Sequence, residues 1–288
     1  MIVDKLAIVG TGLIGGSFAL ALKQAGAVRE VLGVGRNAAR LTVARELGLI
    51  DGAADWARAG QADCILLAMP VGETESVLKA LAPHLKAGAI VTDAGSTKLN
   101  VVAAARAALG THFPDFVPGH PIAGSEQSGP AAARADLYQG RKVVLTPQAE
   151  TRASAIATVQ ALWEAAGAQV ETLGAALHDR IFAAVSHLPH LAAFALVDEL
   201  AGRADGDTFF RFAASGFRDF TRIAGSSPEM WRDIALGNRE ALLAELDAYL
   251  AALQALRQAV NSEDADTLLN MFARARTARD NWMKTQDS

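Results

Sequence analysis

The chain has 288 residues, 51% hydrophobic and 20% charged, a composition that excludes a disordered protein. A net charge of -4, from 27 Lys and Arg against 31 Asp and Glu, argues against broad nucleic-acid binding. No uninterrupted apolar run reaches the roughly 18 residues of a membrane span, and Met1–Lys5 lacks the pattern of a signal peptide. The single cysteine, Cys64, cannot form an intrachain disulfide, which fits the reducing cytoplasm. Together these features lead us to expect a cytoplasmic protein with no membrane or nucleic-acid partner.

In the first half of the chain, short apolar runs alternate with helical patterns. We predict strands at 6–9, 28–34, 63–69, 89–92 and 142–146, and helices at 17–24, 38–47, 73–81 and 98–109. Strands that alternate with helices in this way indicate βαβ units around a buried parallel sheet.

The second half is almost entirely helical in its pattern. One short strand is predicted at 169–173, and helical spacing continues from Ala175 to the end, with Leu242, Leu246 and Leu253 on one stripe. We therefore predict an α/β domain around a parallel sheet at 1–149. An all-α domain follows at 150–288, and its apolar stripes favour a homodimer.

A glycine-rich turn follows the first predicted strand and opens the first helix. Its sequence, Gly10-Thr11-Gly12-Leu13-Ile14-Gly15, matches G-x-G-x-x-G. The first glycine of such a motif allows a tight turn, the second lets the backbone approach a pyrophosphate, and the third lets helix and strand pack closely. A tight turn that binds nothing is the alternative, but the strand, turn, helix and second strand come in the order that predicts dinucleotide binding.

The end of the second strand indicates which dinucleotide is preferred. NAD-binding proteins usually place Asp or Glu there for the ribose 2'-hydroxyl, whereas this strand ends Gly33-Val-Gly35-Arg36-Asn37. A guanidinium can pair with a 2'-phosphate through two parallel hydrogen bonds. We therefore favour NADP over NAD, although Arg36 could instead be solvated or stack on the adenine.

Four segments together resemble one family. They are the glycine turn, Asp93-Ala-Gly-Ser96-Thr-Lys98, Gly119-His120-Pro121-Ile-Ala-Gly124-Ser-Glu126, and the helical stretch that contains Ser186-His187-Leu-Pro-His190, Arg222 and Trp231. This combination resembles the prephenate and arogenate dehydrogenases, also called cyclohexadienyl dehydrogenases, of tyrosine biosynthesis. The resemblance extends over nearly the whole chain.

The resemblance implies oxidative decarboxylation of prephenate or arogenate, with hydride transfer to NADP or NAD. The products would be 4-hydroxyphenylpyruvate and tyrosine, respectively. It also implies an α/β Rossmann-type dinucleotide-binding domain at 1–149 and a helical substrate-binding and dimerisation domain at 150–288, a layout similar to 6-phosphogluconate dehydrogenase, in a homodimer. We also expect feedback inhibition by tyrosine, because the product fits the same pocket. We expect neither a regulatory ACT-type domain nor a fused chorismate mutase segment.

Two catalytic residues follow from the resemblance. It assigns to His120 the hydrogen bond to the substrate 4-hydroxyl, and imidazole, with an ordinary pKa of about 6.5, suits a general base near neutral pH. Ser96 matches a serine that orients the hydroxyl and the histidine. The alternatives are a loop histidine bonded to backbone, and a serine that caps the next helix.

The resemblance assigns the remaining site residues to substrate binding. Arg222 matches an arginine that holds a substrate carboxylate, and His190 and His187 are candidate second donors. Their HxxH spacing also permits a metal site, but no third ligand is evident, so we predict none. Trp231 is either a pocket aromatic or a core residue. Glu126 could meet the amine of arogenate or pair with a cation of a neighbouring subunit.

Two other classes of protein share some of these features. A β-hydroxyacid dehydrogenase or a pyrroline-carboxylate reductase has the same domain layout, but the former needs a catalytic lysine, and residues 152–254 contain none. A non-catalytic dinucleotide sensor would keep the glycine turn without needing His120 and Arg222.

Overall fold

The structure is a computed structural model that describes residues 1–124 and 127–285. It divides into two compact units, Met1–Ala241 and Leu242–Ser288. The first unit contains every described residue of the predicted site.

A parallel sheet organises the first unit. Its six strands, within the described residues, lie in the order β3-β2-β1-β4-β5-β6, which is the order of a dinucleotide-binding Rossmann fold. The strands are β1 Val3–Val9, β2 Val28–Val34, β3 Gly52–Ala53, β4 Cys64–Leu67, β5 Ile90–Asp93 and β6 Phe116–Val117. The buried parallel sheet predicted from the sequence is therefore confirmed.

Helices cover both faces of this sheet, as an all-parallel sheet requires. On one face the ring of Phe18 contacts Trp163, with ring centroids 4.2 Å apart, and on the other Leu78 and Val101 pack in a second apolar cluster. The helices of this part are α1 Leu13–Gln24, α2 Ala38–Glu46, α3 Trp56–Ala59, α4 Thr74–Leu81, α5 Leu99–Leu109 and α6 Ala153–Ala165.

The glycine turn between β1 and α1 has the predicted tight geometry. Gly10 has φ of +96°, and a Cβ there would lie 2.5 Å from the carbonyl oxygen of Ala68. A Cβ on Gly15 would lie 2.3 Å from the carbonyl oxygen of Gly10 and 2.6 Å from a methyl carbon of Ile8. A Cβ on Gly12 would meet no atom within 4 Å, so the space above that residue is open.

A second, three-stranded sheet was not predicted in this form. It consists of β7 Gly119–Pro121, β8 Lys142–Leu145 and β9 Gln169–Thr172, with β7 antiparallel and β9 parallel to β8. The sequence indicated β8 and β9, but β7 is only three residues long and contains a proline, so it has no alternating pattern to detect.

The elements that follow the predicted domain boundary pack with those that precede it. In α6, Trp163 lies in the same apolar cluster as Phe18 of α1, and β9 pairs with β8. The division between residues 149 and 150 stays a prediction, and these contacts favour a division after β9.

Beyond β9 the chain is helical, as predicted. The helices are α7 Ala175–Phe182, α8 Leu188–Ala201, α9 Gly206–Phe212, α10 Ser215–Thr221, α11 Pro228–Gly237, α12 Arg239–Asn261 and α13 Ala265–Lys284. A π-helical turn, Ala183–His187, joins α7 to α8, and such turns are frequent at functional sites.

The continuous stretch Ala175–Ala201 is, by length and composition alone, apolar enough to cross a membrane. The sequence analysis did not identify this stretch as a membrane span, because polar residues interrupt its apolar runs. One of these, Asp179, is 1% exposed and hydrogen-bonds to the backbone of α5.

A methyl group at Gly15 should destabilise the first unit. We expect Gly15→Ala to lower the free energy of unfolding by about 1–3 kcal/mol, because its Cβ would overlap backbone and a core side chain. Gly12→Ala is the matched control, since its Cβ enters open space. Urea denaturation followed by circular dichroism measures both, and equal losses for the two variants would contradict this explanation.

Candidate active site

His120 lies in β7, directly opposite Val144 of β8. Its side chain is buried, and the ring of Phe182 packs against it with centroids 4.7 Å apart. The neighbouring strand and the aromatic ring therefore hold the imidazole in one place, as a positioned catalytic group requires.

A chain of three side chains runs inward from His120. Its Nδ1 lies 2.8 Å from Nε2 of His178, and Nδ1 of His178 lies 2.8 Å from Oδ1 of Asp179. Because a carboxylate only accepts hydrogen bonds, His178 donates from Nδ1 and accepts at Nε2. His120 therefore donates from Nδ1, which leaves the lone pair of its Nε2 available as a base.

The same carboxylate fixes the start of α5. Asp179 accepts hydrogen bonds from the backbone amides of Lys98, at 2.8 Å, and Leu99, at 2.9 Å. Lys98 is the N-cap residue of α5, without a side-chain cap of its own. The alternative interpretation of Ser96 as a helix cap is therefore wrong, because the side chain of Asp179, from another helix, caps the N-terminus of α5.

A buried ion pair holds the backbone beside His120. Nζ of Lys98 contacts Oδ2 of Asp93 and donates to the carbonyl of Gly119 at 2.5 Å, while Oδ1 of Asp93 accepts from the Gly119 amide at 3.1 Å. Both charged side chains are at most 2% exposed. The pair thus binds both polar groups of the residue that precedes His120.

Burial makes the imidazoles of the site weak bases. It holds the pKa of His120 well below the ordinary value, and the neighbouring His178, Lys98 and His187 lower it further. Burial also lowers the pKa of His178 and brings that of His187 to about 4. Near neutral pH these rings are neutral, the form in which His120 can accept a proton.

His187 ends the π-helical turn and is fully buried. Its Nδ1 lies 3.1 Å from the side-chain nitrogen of Asn238, so Nε2 carries the ring proton. That nitrogen lies beside the backbone of Ser96, yet no partner with hydrogen-bond geometry is found for it among the described residues. A buried donor of this kind is available to a ligand.

His190 stacks on Trp231, with ring centroids 3.7 Å apart and planes 20° apart. Its Nδ1 lies 2.9 Å from the carbonyl oxygen of Ser186, and burial lowers its pKa. Trp231 is itself buried, and its Nε1 has no hydrogen-bond partner among the described residues. The tryptophan is thus both a core residue, packed beside Ile234, and a neighbour of the predicted substrate histidines.

Arg222 begins a short 3₁₀ turn that follows α10, and it is exposed. It lies close enough to His190 to lower the pKa of that imidazole electrostatically. The structure therefore brings Arg222, His190, His187 and Trp231 into one neighbourhood. Glu126 lies outside the described residues.

The glycine turn follows β1 and so lies at the same carboxyl edge of the sheet as His120, which follows β6. The N-terminus of α1 has no side-chain cap and no acidic residue in its first turn. With the open space above Gly12, this arrangement suits the pyrophosphate of a dinucleotide. Arg36, with 86% of its side chain exposed, pairs with Glu73 at 2.6 Å.

No group of three or more potential metal-ligating side chains occurs in residues 1–124 and 127–285. The HxxH pair does not form one, because His187 bonds to Asn238 and His190 stacks on Trp231.

Sequence reasoning missed several residues of the site. His178 and Asp179 were not among the predicted site residues, yet they connect directly to His120. Sequence reasoning assigned no role to Asp93, Lys98 or Asn238. The spacing of Asp93 and Lys98 directly after a strand was the available signal, since polar residues at the carboxyl end of a parallel strand commonly form ligand sites.

The fold and this site together define an oxidoreductase that uses a nicotinamide dinucleotide. A glycine turn and a buried imidazole at the same carboxyl edge of a parallel sheet are features that such an enzyme needs. Comparison with known proteins makes the assignment more specific.

The chain belongs to the prephenate dehydrogenase family. Residues 18–172 match the family described as prephenate dehydrogenase, nucleotide-binding domain, and residues 174–274 match prephenate dehydrogenase, dimerization domain. The cyclohexadienyl dehydrogenase of Zymomonas mobilis is 39% identical over 278 residues, 95% of this chain and 94% of that protein.

Two solved structures are similar over nearly the whole chain. Prephenate dehydrogenase from Aquifex aeolicus, in complex with hydroxyphenyl propionate and NAD+, has a TM-score of 0.90 and 37% identity, covering 96% of this chain and 97% of that one. Arogenate dehydrogenase from Synechocystis has a TM-score of 0.80 and 32% identity, covering 96% and 99%.

Removal of the buried carboxylate of Asp93 should destabilise the fold. We expect Asp93→Asn to lower the free energy of unfolding by about 3–5 kcal/mol at neutral pH, because it leaves the Lys98 ammonium buried without its counter-charge. Chemical denaturation measures the loss.

The exposed pair between Lys142 and Glu171, 2.7 Å apart, provides the control. Glu171→Gln should cost less than about 1 kcal/mol, because solvent screens that pair. A similar loss for both variants would show that burial of the Asp93 pair has no special effect.

Proposed function

We propose that the protein oxidatively decarboxylates prephenate, arogenate or both, giving 4-hydroxyphenylpyruvate and tyrosine, with NADP favoured over NAD as the oxidant. The observation that supports this most directly is the chain from His120 through His178 to Asp179. It leaves one imidazole nitrogen as a base in a domain that has a glycine turn for a dinucleotide.

The residues at the glycine turn fit a dinucleotide. Gly10, Gly12, Leu13, Ile14 and Gly15 form the turn and the first residues of α1, whose uncapped amides would bind the pyrophosphate. When bound, the nicotinamide supplies the acceptor for the hydride that leaves the ring carbon bearing the 4-hydroxyl. Arg36 follows β2, where an acidic residue would mark NAD, and its guanidinium would bind the 2'-phosphate of NADP.

His120 takes the proton of the substrate 4-hydroxyl at its Nε2. Hydrogen bonds from Nδ1 of His120 to His178, and from His178 to Asp179, stabilise the positive charge that then develops on the ring. Ser96, beside His187, orients the hydroxyl. As the ketone forms, the bond to the ring carboxylate breaks and CO2 leaves. The electron pair of that bond makes the ring aromatic, and the former ketone oxygen takes back the proton from His120 to give the phenol.

The substrate carboxylates need fixed donors on the helical side of the site. Arg222 provides a permanent cation, and the Nε2 of His187 and the Nε1 of Trp231 are buried N–H groups without a partner among the described residues. His190 stacks on Trp231. We propose that these four side chains bind the substrate, with Glu126 near the mouth of the pocket.

We also propose that the protein forms a homodimer, is inhibited by tyrosine and acts in the cytoplasm. The match to a dimerisation domain supports a homodimer. Tyrosine, which shares the hydroxyphenyl group of the product, would inhibit by occupying the same site. The buried thiol of Cys64 is consistent with the cytoplasm as the place of action.

The first experiment measures reduced cofactor by its absorbance near 340 nm with prephenate or arogenate, each with NAD or NADP. Turnover with either substrate supports the proposed reaction, and faster turnover with NADP than with NAD supports the role of Arg36. Cofactor binding without turnover in any combination would contradict the substrate assignment. A strong preference for NAD would contradict only the assignment of Arg36.

Substitution of the proposed base tests the mechanism. We expect His120→Asn to lower kcat by about 10²–10⁴-fold with little change in the Kd of the substrate, because only proton transfer is lost. His84→Asn, at an exposed histidine, is the control. A loss of substrate binding that equals the loss of kcat would contradict the assignment.

The pH dependence provides an independent test. Because burial lowers the pKa of His120, the neutral base persists below pH 6.5. We expect kcat/KM to stay level as the pH falls through 6.5 and to decline only at lower pH. A decline centred at or above pH 6.5 would mean that another group is the base.

A further inference from the structure

The loops after β2 and β4 stand on either side of the glycine turn. In the sheet, β1 lies between these two strands, and neighbouring strands are about 4.8 Å apart. The glycine turn touches both neighbours, since Gly10 approaches Ala68 after β4 and a Cβ on Gly33 of β2 would lie 3.0 Å from Thr11. A side chain that joins the two loops therefore crosses the end of β1 beside the proposed dinucleotide site.

Arg36 and Glu73 make such a connection. Arg36 follows β2, Glu73 ends the short turn after β4, and Nη2 of Arg36 lies 2.6 Å from Oε1 of Glu73. The backbone of Glu73 is fixed, because its amide donates to the carbonyl of Pro70 and its carbonyl accepts from Ser76. The carboxylate is 30% exposed, whereas the guanidinium that it holds is 86% exposed.

From this arrangement we propose that Glu73 reduces the preference for NADP by competing with the 2'-phosphate of NADP for Arg36. This inference rests on the proposed binding of a dinucleotide at the glycine turn. A 2'-phosphate that binds this guanidinium must share or displace the contact between Nη2 and Glu73, and it must do so next to a like charge. The 2'-hydroxyl of NAD is neutral and meets no such competition.

The consequence is that the protein prefers NADP over NAD less strongly than Arg36 alone would make it. Arg36 favours NADP, as the absence of an acidic residue at the end of β2 predicts, and Glu73 reduces that advantage. The loop after β4 thereby becomes a second determinant of cofactor choice, although the cofactor fingerprint places this choice at the end of β2.

The test is a direct binding measurement with the purified full-length protein. Calorimetry at low salt gives the Kd of NADP and of NAD for the wild type, Glu73→Gln, Arg36→Gln and the double variant. We expect Glu73→Gln to tighten NADP about tenfold and to change NAD less than about twofold, since one opposing charge is removed close to the phosphate. In the Arg36→Gln background the gain should fall below about twofold.

Glu75→Gln is the matched control. Glu75 is two residues away on α4, is exposed and pairs with Lys79, so its removal should change neither Kd. The proposal is overturned if Glu73→Gln leaves NADP binding unchanged, if NAD weakens instead, or if the gain persists without Arg36. A wild type that binds neither dinucleotide would overturn the cofactor site as well, whereas binding without turnover of prephenate or arogenate would affect only the proposed reaction.

Discussion

The rest of the site depends on the carboxylate of Asp179, which connects the helical half of the chain to the part that contains the sheet. One oxygen orients His178, which orients His120 in turn, and both oxygens bind the first amides of α5. Asp179 is in the helical half of the chain, whereas His120 and α5 belong to the part that contains the sheet. The imidazole of His120 and the start of α5 are therefore held by one buried group, which a neutral side chain could not replace without losing acceptors.

The buried pair of Asp93 and Lys98 complements this arrangement from the sheet side. It binds both the amide and the carbonyl of Gly119, so the strand that presents His120 cannot shift without disturbing a charge pair. Preorganisation of this kind removes the reorganisation that a reaction would otherwise require. It also explains why the polar residues after β5 lie in the protein interior, where unpaired charges would be unfavourable.

The sequence revealed those parts of the fold that depend on local pattern. The glycine turn, the strands of four or more residues and the helical second half all follow from periodicity and from glycine chemistry. Strands β3, β6 and β7 have only two or three residues, too few for any period. The contact between His120 and His178 spans 58 residues of sequence, and no local pattern specifies it. The family resemblance named His120, Arg222 and Trp231 as candidates, but only the structure shows which side chains contact them.

The π-helical turn at Ala183–His187 limits the insertions and deletions that this segment can accept. A π turn holds one residue more than an α-helical turn, and each residue of an α-helix advances the direction of the side chains by about 100°. Deletion of one residue from this turn would restore a regular helix and rotate His190 away from Trp231, while His178 and Asp179 stayed in place. The length of this segment is therefore as constrained as its composition, and insertions or deletions should be tolerated elsewhere in the helical half before they are tolerated here.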